Sequence, residues 1–236
     1  AELFDLDGLQ LGITTDEFSP EEDFFSSFDP ATLGHNLVTA TVSDLLAAGV
    51  KPRFYLHTCA FPRETTAGFM AAFAEGIARG LKEAGCQLLG GDTGTSESWR
   101  YTGTALGTVV RPLTRKGARP GDRIYSTGLL GAGNRQALLL HQLKADPASA
   151  SAELRAAASP VFPSRRRAAQ VLWNHASFAI DSSDGLLETL RWLVEANPGC
   201  GFSASFEPRL IDPLSAQMVQ RAQLPAELLL MSSAGE

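Results

Sequence analysis

The chain has 236 residues, of which 44% are hydrophobic and 19% charged, and its formal net charge is −6. This is a globular composition, which excludes a wholly disordered chain, and the length suits one large domain or two smaller ones. The acidic balance argues against a nucleic-acid interface and against binding to an anionic membrane surface. The three cysteines form no C-x-x-C pair, which predicts free thiols and a reducing, cytoplasmic location.

The first half of the chain alternates between strand and helix patterns. The acidic and aromatic segment 18–30 has no clean periodicity and is predicted to be a loop. Apolar residues at helical spacing predict one helix over 31–48 and a second over 65–84, each followed by a glycine that suits a helix C-terminus. Alternating or continuous apolar runs predict strands over 11–15, 54–61, 86–89 and 101–110.

The second half has the same character, with glycine-rich joints. Turn-forming residues over 115–122 predict a junction between an N-terminal domain, 1–114, and a C-terminal domain, 115–236. The glycine-rich turn 128–133 leads into a helix, and the Ala-, Ser- and Pro-rich segment 145–163 is predicted to be an exposed helix–loop excursion. Further strands are predicted over 124–127 and 178–180, and further helices over 165–175 and 186–196. The alternation predicts an α/β or α+β fold in two parts.

Aspartates recur at the predicted ends of strands and within one largely apolar helix: Asp16, Asp44, Asp92, Asp181 and Asp184. Carboxylates that cluster repel one another, and no matching set of Lys or His accompanies them. A divalent cation that prefers oxygen ligands is the simplest counter-ion, and Mg²⁺ binds one or two carboxylates together with substrate phosphates. Taken alone, Asp92 or Asp184 is more often a turn or helix N-cap residue, and Asp44 also suits a solvated helix edge.

Candidate phosphate contacts are less specific. The turn from Gly128 to Gly133 lies between a predicted strand and a helix, where backbone N–H groups can meet a phosphate. Its G-x-x-G-x-G spacing differs from the P-loop and from the dinucleotide fingerprint, so a plain tight turn is the simpler interpretation. Arg115, Lys116 and Arg119 lie upstream and suit either an anion site or an ordinary surface. Neither a G-x-S-x-G elbow nor an activated cysteine supports nucleophilic catalysis.

Taken together and in order, these segments resemble the superfamily of aminoimidazole ribonucleotide (AIR) synthetase and, within it, the thiamine-monophosphate kinases. G-G-D-T followed by D-x-S-D-G-L indicates the kinase branch rather than the selenophosphate synthetase or hydrogenase-maturation branches. The matching runs are ITTDEF (13–18), TVSDLLAAGVKP (41–52), LLGGDTGTS (88–96), RKGARPGDRIYSTGLLG (115–131) and AIDSSDGLLETL (179–190).

The resemblance implies a fold and a set of ligands. It implies two α/β domains of the AIR synthetase type, dimerisation through the N-terminal sheet, ATP bound between the domains and several Mg²⁺ ions. The implied metal ligands are Asp16, Asp44, Asp92, Asp181 and Asp184, with Asp44 and Asp181 essential for turnover. The implied contacts to nucleotide or phosphate are Thr15, Thr93, Arg115, Gly128, Gly131 and Ser183.

The implied reaction is direct transfer of the γ-phosphate of ATP to a small phosphorylated acceptor, with thiamine monophosphate as the best candidate. Two alternatives stay open. The first is an ATP-dependent enzyme that activates an amide or carbonyl oxygen by phosphorylation. The second is a non-catalytic relative that binds nucleotide.

Several positions depart from the family pattern. The kinases carry a G-D-D-A segment before the T-T-D strand and a G-E-D segment near residue 235, so we expect this chain to be truncated at both ends. Glu17-Phe18-Ser19-Pro20 replaces a usual His-Phe pair near the acceptor, and Thr41 replaces a usual Asn. The parts that handle phosphate therefore match better than the parts that bind the acceptor.

Overall fold

The chain divides into two compact units. The computed structural model describes residues 1–146, 151–203, 205 and 207–230. The first unit comprises 1–114 and 161–176, and the second comprises 115–160 and 177–236. A change of unit thus falls at the predicted junction, but 161–176, which we assigned to the C-terminal domain, packs in the first unit. The reason lies in Trp173, whose Nε1 donates a hydrogen bond to the Leu46 carbonyl at 2.8 Å and whose carbonyl accepts one from Arg111 Nη1 at 2.9 Å.

The first unit is built on a five-stranded mixed sheet with the order β1-β2-β5-β3-β4. Its strands are β1 (Glu2–Leu6), β2 (Leu9–Phe18), β3 (Val50–Phe61), β4 (Gln87–Thr95) and β5 (Arg100–Val109). Only β3 and β4 pair in parallel. The four predicted strands correspond to β2–β5, although β2, β3 and β4 extend further than predicted. The prediction missed β1, which a two-residue turn at Asp7-Gly8 joins to β2 with φ values of 51° and 84°.

Two long helices, both predicted from the sequence, cover one face of this sheet. Helix α1 (Pro30–Ala47) begins at Asp29, whose side chain accepts hydrogen bonds from the first turn, and α2 (Ala67–Ala84) ends at Gly85 with a φ of 73°. The two helices approach closely because Gly34 of α1 faces the backbone of α2, where any Cβ would clash. The opposite face of the sheet carries no helix in the described part of the first unit, so it is called the open face below.

The second unit is helical in its described residues, apart from an isolated bridge between Leu130 and Ile211. Its helices are α3 (Ala132–Ala145), α4 (Ala152–Ala157), α6 (Gly185–Ala196) and α7 (Pro213–Arg221), whereas α5 (Arg166–His175) belongs to the first unit. The strands predicted over 124–127 and 178–180 were wrong, because a short apolar run becomes a strand only where a partner extends the ladder. Taken as a whole, the chain is mixed α/β, which confirms the predicted fold class.

The segment 145–163 is less exposed than predicted. It contains α4, and Ala158 is fully buried against Leu139 and Leu143 of α3. The part of the prediction that falls on 147–150 lies outside the described residues. The helices predicted over 165–175 and 186–196 are confirmed as α5 and α6.

Candidate functional site

Asp44 is held against the sheet by Thr14. The Thr14 hydroxyl of β2 donates a hydrogen bond to Asp44 Oδ2 on α1 at 2.6 Å. Thr14 is buried, and the Asp44 side chain is 24% exposed. Asp44 therefore does not lie on a solvated helix edge, because its carboxylate accepts a hydrogen bond from a buried hydroxyl of the sheet.

Asp16 follows Thr14 on the same side of β2. Side chains of a strand alternate between the two faces of a sheet. Asp16 therefore lies on the helix-covered face, two residues after Thr14, which holds Asp44. It pairs with Gly103 of β5 and is half-buried. Asp16 lies inside β2 rather than at the predicted strand end, because β2 continues to Phe18. The structure therefore brings two of the predicted metal ligands, Asp16 and Asp44, to the same face.

A chain of buried hydroxyl groups lies beneath these two carboxylates. The Tyr101 hydroxyl donates to that of Tyr55 at 3.1 Å, Tyr55 donates to Thr41 Oγ1 at 3.1 Å, and Thr41 donates to the Leu37 carbonyl at 2.9 Å. Burial raises the pKa of Tyr55, and the nearby charge of Asp16 adds to this rise. Thr41, which replaces the usual Asn of the kinases, is thus the end of a hydrogen-bond chain that joins β5, β3 and α1.

Asp92 lies on the other face of the sheet. It was predicted to follow a strand, but β4 continues to Thr95, and Asp92 pairs there with Thr58 of β3. Asp16 belongs to the neighbouring row, in which Gly103 pairs with His57 and His57 with Gly91. Because adjacent residues of a strand point to opposite faces, Asp92 lies on the open face, where it is exposed.

The two predicted threonines are also divided between the faces. Thr15 lies on the open face, where its hydroxyl is 2.9 Å from that of Thr104. Thr93 lies on the helix-covered face, with its hydroxyl 3.7 Å from Cys59 Sγ. Burial raises the pKa of the Cys59 thiol, which agrees with a cysteine that takes no part in nucleophilic chemistry.

In the second unit, the loop over 181–184 precedes α6. Asp181 is half-buried, and its carbonyl lies 3.5 Å from Thr189 Oγ1, whereas Ser183 and Asp184 are exposed. Asp184 occupies the N-cap position of α6 but makes no capping hydrogen bond. The alternative explanation of Asp184 as an N-cap is therefore not realised, and its carboxylate faces solvent.

The glycine-rich turn is anchored on both sides. Gly131 has a φ of 99° and begins α3 without a capping side chain, while Ser126 Oγ donates to the Gly128 carbonyl at 2.8 Å. Leu130 is buried, and its N–H donates to Leu210 at 2.8 Å. The first turn of α3 has no side-chain cap, and Gly131 and Gly133 are buried there, Gly131 beside Ser215 and Leu229.

Arg115 is exposed at the start of a turn whose backbone is bound by Asn197, a residue that carries no motif. Sequence reasoning missed Asn197 because its partners lie about 80 residues away in the chain. It also missed Thr14, although a polar residue at an inward position of an alternating strand is a usable signal for such a contact.

The arrangement fits Mg²⁺ in the type of donor but not as a preformed cage. Among the described residues, no group of three or more His, Cys, Asp or Glu side chains is placed to hold a metal ion. The carboxylates are instead divided between the units: Asp16 and Asp44 share the helix-covered face of the sheet in the first, and Asp181 and Asp184 share one loop in the second. One or two carboxylates completed by water and substrate phosphates are how Mg²⁺ is usually bound.

Within the described residues, every helix is too short or too polar to cross a membrane.

Comparison with known proteins agrees with the motifs. Residues 1–109 match the N-terminal domain of AIR synthase related proteins. The resemblance to the kinase branch is also confirmed: a thiamine-monophosphate kinase from Pyrococcus horikoshii is 33% identical over 180 residues, or 76% of this chain and 57% of the relative. The chain thus spans little more than half the length of that kinase.

Two solved structures share the fold. One, titled AaThiL complexed with AMPPCP and TMP, has a TM-score of 0.79 and is 22% identical in sequence. The match covers 99% of this chain and 75% of that protein chain. The hydrogenase maturation protein HypE has a TM-score of 0.71 and 20% identity and covers 100% of this chain and 72% of its own. At these identities the structures establish the fold, and because proteins of different function share it, the activity has to be argued from the site.

Proposed function

We propose that the protein to which this chain belongs transfers the γ-phosphate of ATP to the phosphate of a small acceptor, with thiamine monophosphate as the best candidate. The sequence relationship to a thiamine-monophosphate kinase carries this proposal. The placement of Asp44 against Thr14, beside Asp16, supports it, because it holds two carboxylates of the kinase motifs on one face of the sheet.

The chemistry needs little from the protein beyond positioning. A phosphate monoester is already anionic at neutral pH, so its oxygen attacks the γ-phosphorus without a general base. This agrees with a site whose motifs contain carboxylates, hydroxyls and glycines but no histidine. The task left to the side chains is to hold two anions in line and to offset their charge.

We assign the metal to the carboxylate pairs. Asp16 and Asp44 would hold Mg²⁺ in the first unit, and Asp181 and Asp184 in the second, with Asp92 as a further ligand. Bound Mg²⁺ supplies the positive charge that offsets the β- and γ-phosphate oxygens during transfer. Thr14 keeps the Asp44 carboxylate in a fixed rotamer, which lowers the entropy lost when a ligand binds.

The nucleotide contacts follow from the anchored turns. The N-terminus of α3 after Gly131, together with Gly128, offers backbone N–H groups to a phosphate. Arg115 offers a charged side chain, and Ser183 offers a hydroxyl from an exposed loop. Thr15 and Thr93 would contact phosphate or metal from opposite faces of the sheet.

We further propose that two copies associate through the open face. Its large apolar side chains are well exposed for a sheet: Phe4, Leu6, Leu9, Ile13, Phe54 and Leu56 are 38–56% exposed. A contiguous patch of this kind marks an interaction surface. One end of the same face is polar and carries Thr15 and Asp92, so the dimer would border these two site residues.

The absence of disulfides among the described cysteines agrees with a cytoplasmic enzyme.

The decisive experiment is product analysis with full-length protein, Mg²⁺ and ATP labelled in the γ-phosphate. Transfer of the label to thiamine monophosphate is the expected result, and an Asp181→Ala variant should lose it while unfolding at the same denaturant concentration. Release of free phosphate with dehydration or ring closure of another substrate would instead favour the amide- or carbonyl-activating enzymes. Binding of ATP without turnover on any phosphorylated acceptor would favour a non-catalytic relative.

A further inference from the structure

We infer that Asn197 is a positioning residue that fixes the turn from Arg115 to Ala118 so that its basic side chains hold the polyphosphate of the nucleotide. The inference rests on the proposed function, because ATP supplies the anion. It concerns a residue that belongs to none of the motifs that match the kinases, and it makes the placement of Arg115 depend on a distant part of the chain.

The Asn197 side chain uses its full hydrogen-bonding capacity. Its Oδ1 accepts from the N–H groups of Gly117 at 2.8 Å and Ala118 at 3.0 Å. Its Nδ2 donates to the carbonyls of Arg115 and Leu193, both at 2.8 Å. The residue is only 7% exposed, so water does not readily replace these bonds.

Three of the four bonds serve the turn rather than the helix. Asn197 is the C-cap of α6 and its N–H donates to the Val194 carbonyl, but of its four side-chain bonds only the one to the Leu193 carbonyl satisfies a helical group. A residue selected to end α6 would need that bond alone. The other three hold the backbone on either side of Gly117, whose φ of 112° gives the turn its shape.

A second set of contacts fixes the neighbouring backbone. Cys200 Sγ lies 3.5 Å from the Ala118 carbonyl, and the Cys200 N–H donates to the Asn197 carbonyl at 3.0 Å. On the far side of the turn, the Arg119 N–H donates to Asp122 Oδ2 at 2.9 Å. The turn is therefore held at both ends, and Asn197 supplies the end that carries Arg115.

This arrangement determines how the turn can bind an anion. The N–H groups of Gly117 and Ala118, which would form a backbone anion site, are occupied by Asn197 Oδ1. The side chains of Arg115 and Lys116 are exposed, in contrast, and lie on the rigid backbone. The anion is therefore held by side-chain charge, whereas the turn that ends at Gly131 offers backbone N–H groups.

The test compares ATP affinity in four forms of the full-length protein, measured by titration calorimetry with Mg²⁺. They are the unaltered protein, Asn197→Ala, the turn variant that combines Arg115→Ala with Lys116→Ala, and the combination of all three changes. We expect Asn197→Ala to weaken ATP binding about tenfold, because loss of positioning forfeits part of a charge-assisted contact. Added to the turn variant, it should weaken binding by less than about twofold, since the contact is already gone.

Asn174→Ala is the matched control. Asn174 lies in α5, is exposed and makes one hydrogen bond, to the Gln170 carbonyl. It should leave ATP affinity unchanged.

The outcomes separate this inference from the proposed function. Full additivity of Asn197→Ala and the turn variant would overturn the inference alone, because it would show a structural effect that does not pass through the basic side chains. A turn variant that binds ATP as tightly as the unaltered protein would overturn it as well, by removing the anion contact. Absence of ATP binding by the unaltered protein would overturn both proposals.

A measurement on the unaltered protein covers the case in which Asn197→Ala fails to fold. Hydrogen exchange should show the amides of Gly117 and Ala118 protected as strongly as those of α6, because Asn197 accepts from both. Exchange at the rate of an open loop would overturn the inference.

Discussion

The two faces of the five-stranded sheet differ in the hydrogen bonding and the exposure of their side chains. The helix-covered face holds Tyr55 and Tyr101 in a closed chain of hydrogen bonds, and Asp44 is fixed there by a single short contact. The open face carries exposed apolar residues at one end and hydroxyl groups with Asp92 at the other. Carboxylates that belong to similar motifs in the sequence therefore lie in two environments, one preorganised and one exposed in the single chain.

The difference indicates that the two faces contribute differently to function. Preorganised groups lose little freedom when a ligand binds, so the covered face suits the reacting phosphates. An open apolar surface gains most from association with another surface. Substitutions on the two faces should accordingly change different measurements.

The largest effect is expected at Asp44. Asp44→Asn keeps the shape of the side chain and a partner for Thr14 but removes the negative charge. We expect kcat to fall by roughly a thousandfold, because the metal contact is lost, while the denaturation midpoint stays close to that of the unaltered protein. Asp7→Asn, in the exposed β1–β2 turn where Asn tolerates a φ of 51°, is the control. A kcat close to the unaltered value in Asp44→Asn would remove Asp44 from the site.

On the open face, Leu56→Asp should break the proposed dimer. Leu56 is 41% exposed in the single chain, and two-fold symmetry would bury two new charges in one interface. We expect the dissociation constant, measured by sedimentation, to rise by at least about a hundredfold. Ala74→Asp on the exposed side of α2 should leave it unchanged. A protein that is monomeric before any substitution would contradict the interface itself.

A smaller effect, on stability, is expected from the hydroxyl chain. Tyr55→Phe leaves the buried Tyr101 hydroxyl without an acceptor, and we expect the free energy of unfolding to fall by about 1–3 kcal/mol. Thr104→Val removes a hydroxyl on the open face that contacts Thr15 and should change it by less than about 0.5 kcal/mol. Urea denaturation of both variants measures the contrast, and equal losses would show that the two faces are not distinct.

The smallest effect concerns pH and His57, on the covered face. Burial lowers the pKa of His57, and its Nδ1 is buried without a hydrogen-bond partner. The unfolded chain therefore binds a proton at His57 more readily than the folded chain does. The contribution of neutral His57 to the free energy of unfolding is complete above the unfolded pKa of about 6.5 and declines as the pH falls below it. Unfolding free energies between about pH 8 and pH 5.5 should show this decline, and His57→Gln should flatten it. An identical slope in that variant would assign the decline to other groups.

Parts of this contrast were predictable from the sequence. The long apolar periodicity predicted α1 and α2, the helices of the covered face, and the motifs predicted the carboxylates as candidate ligands. The side of the sheet on which Asp92 lies was not predictable, because Gly90 and Gly91 weaken the strand signal and placed Asp92 in a loop. Asn197 was missed for another reason, since a side chain that binds backbone far away in the chain leaves no local pattern. The strands predicted over 124–127 and 178–180 failed because pairing partners are not visible in a single segment.

Gly103 occupies a position on the covered face where there is no room for a larger residue. A Cβ at this position would collide with the Tyr55 hydroxyl and with Thr41 Oγ1, and Gly103 also pairs with Asp16. Even alanine would force the Tyr55 hydroxyl and the Thr41 side chain to shift, and with them the hydrogen bond that joins the sheet to α1. The missing side chain of Gly103 thus leaves room for the contact by which the helix that carries Asp44 is held to the sheet.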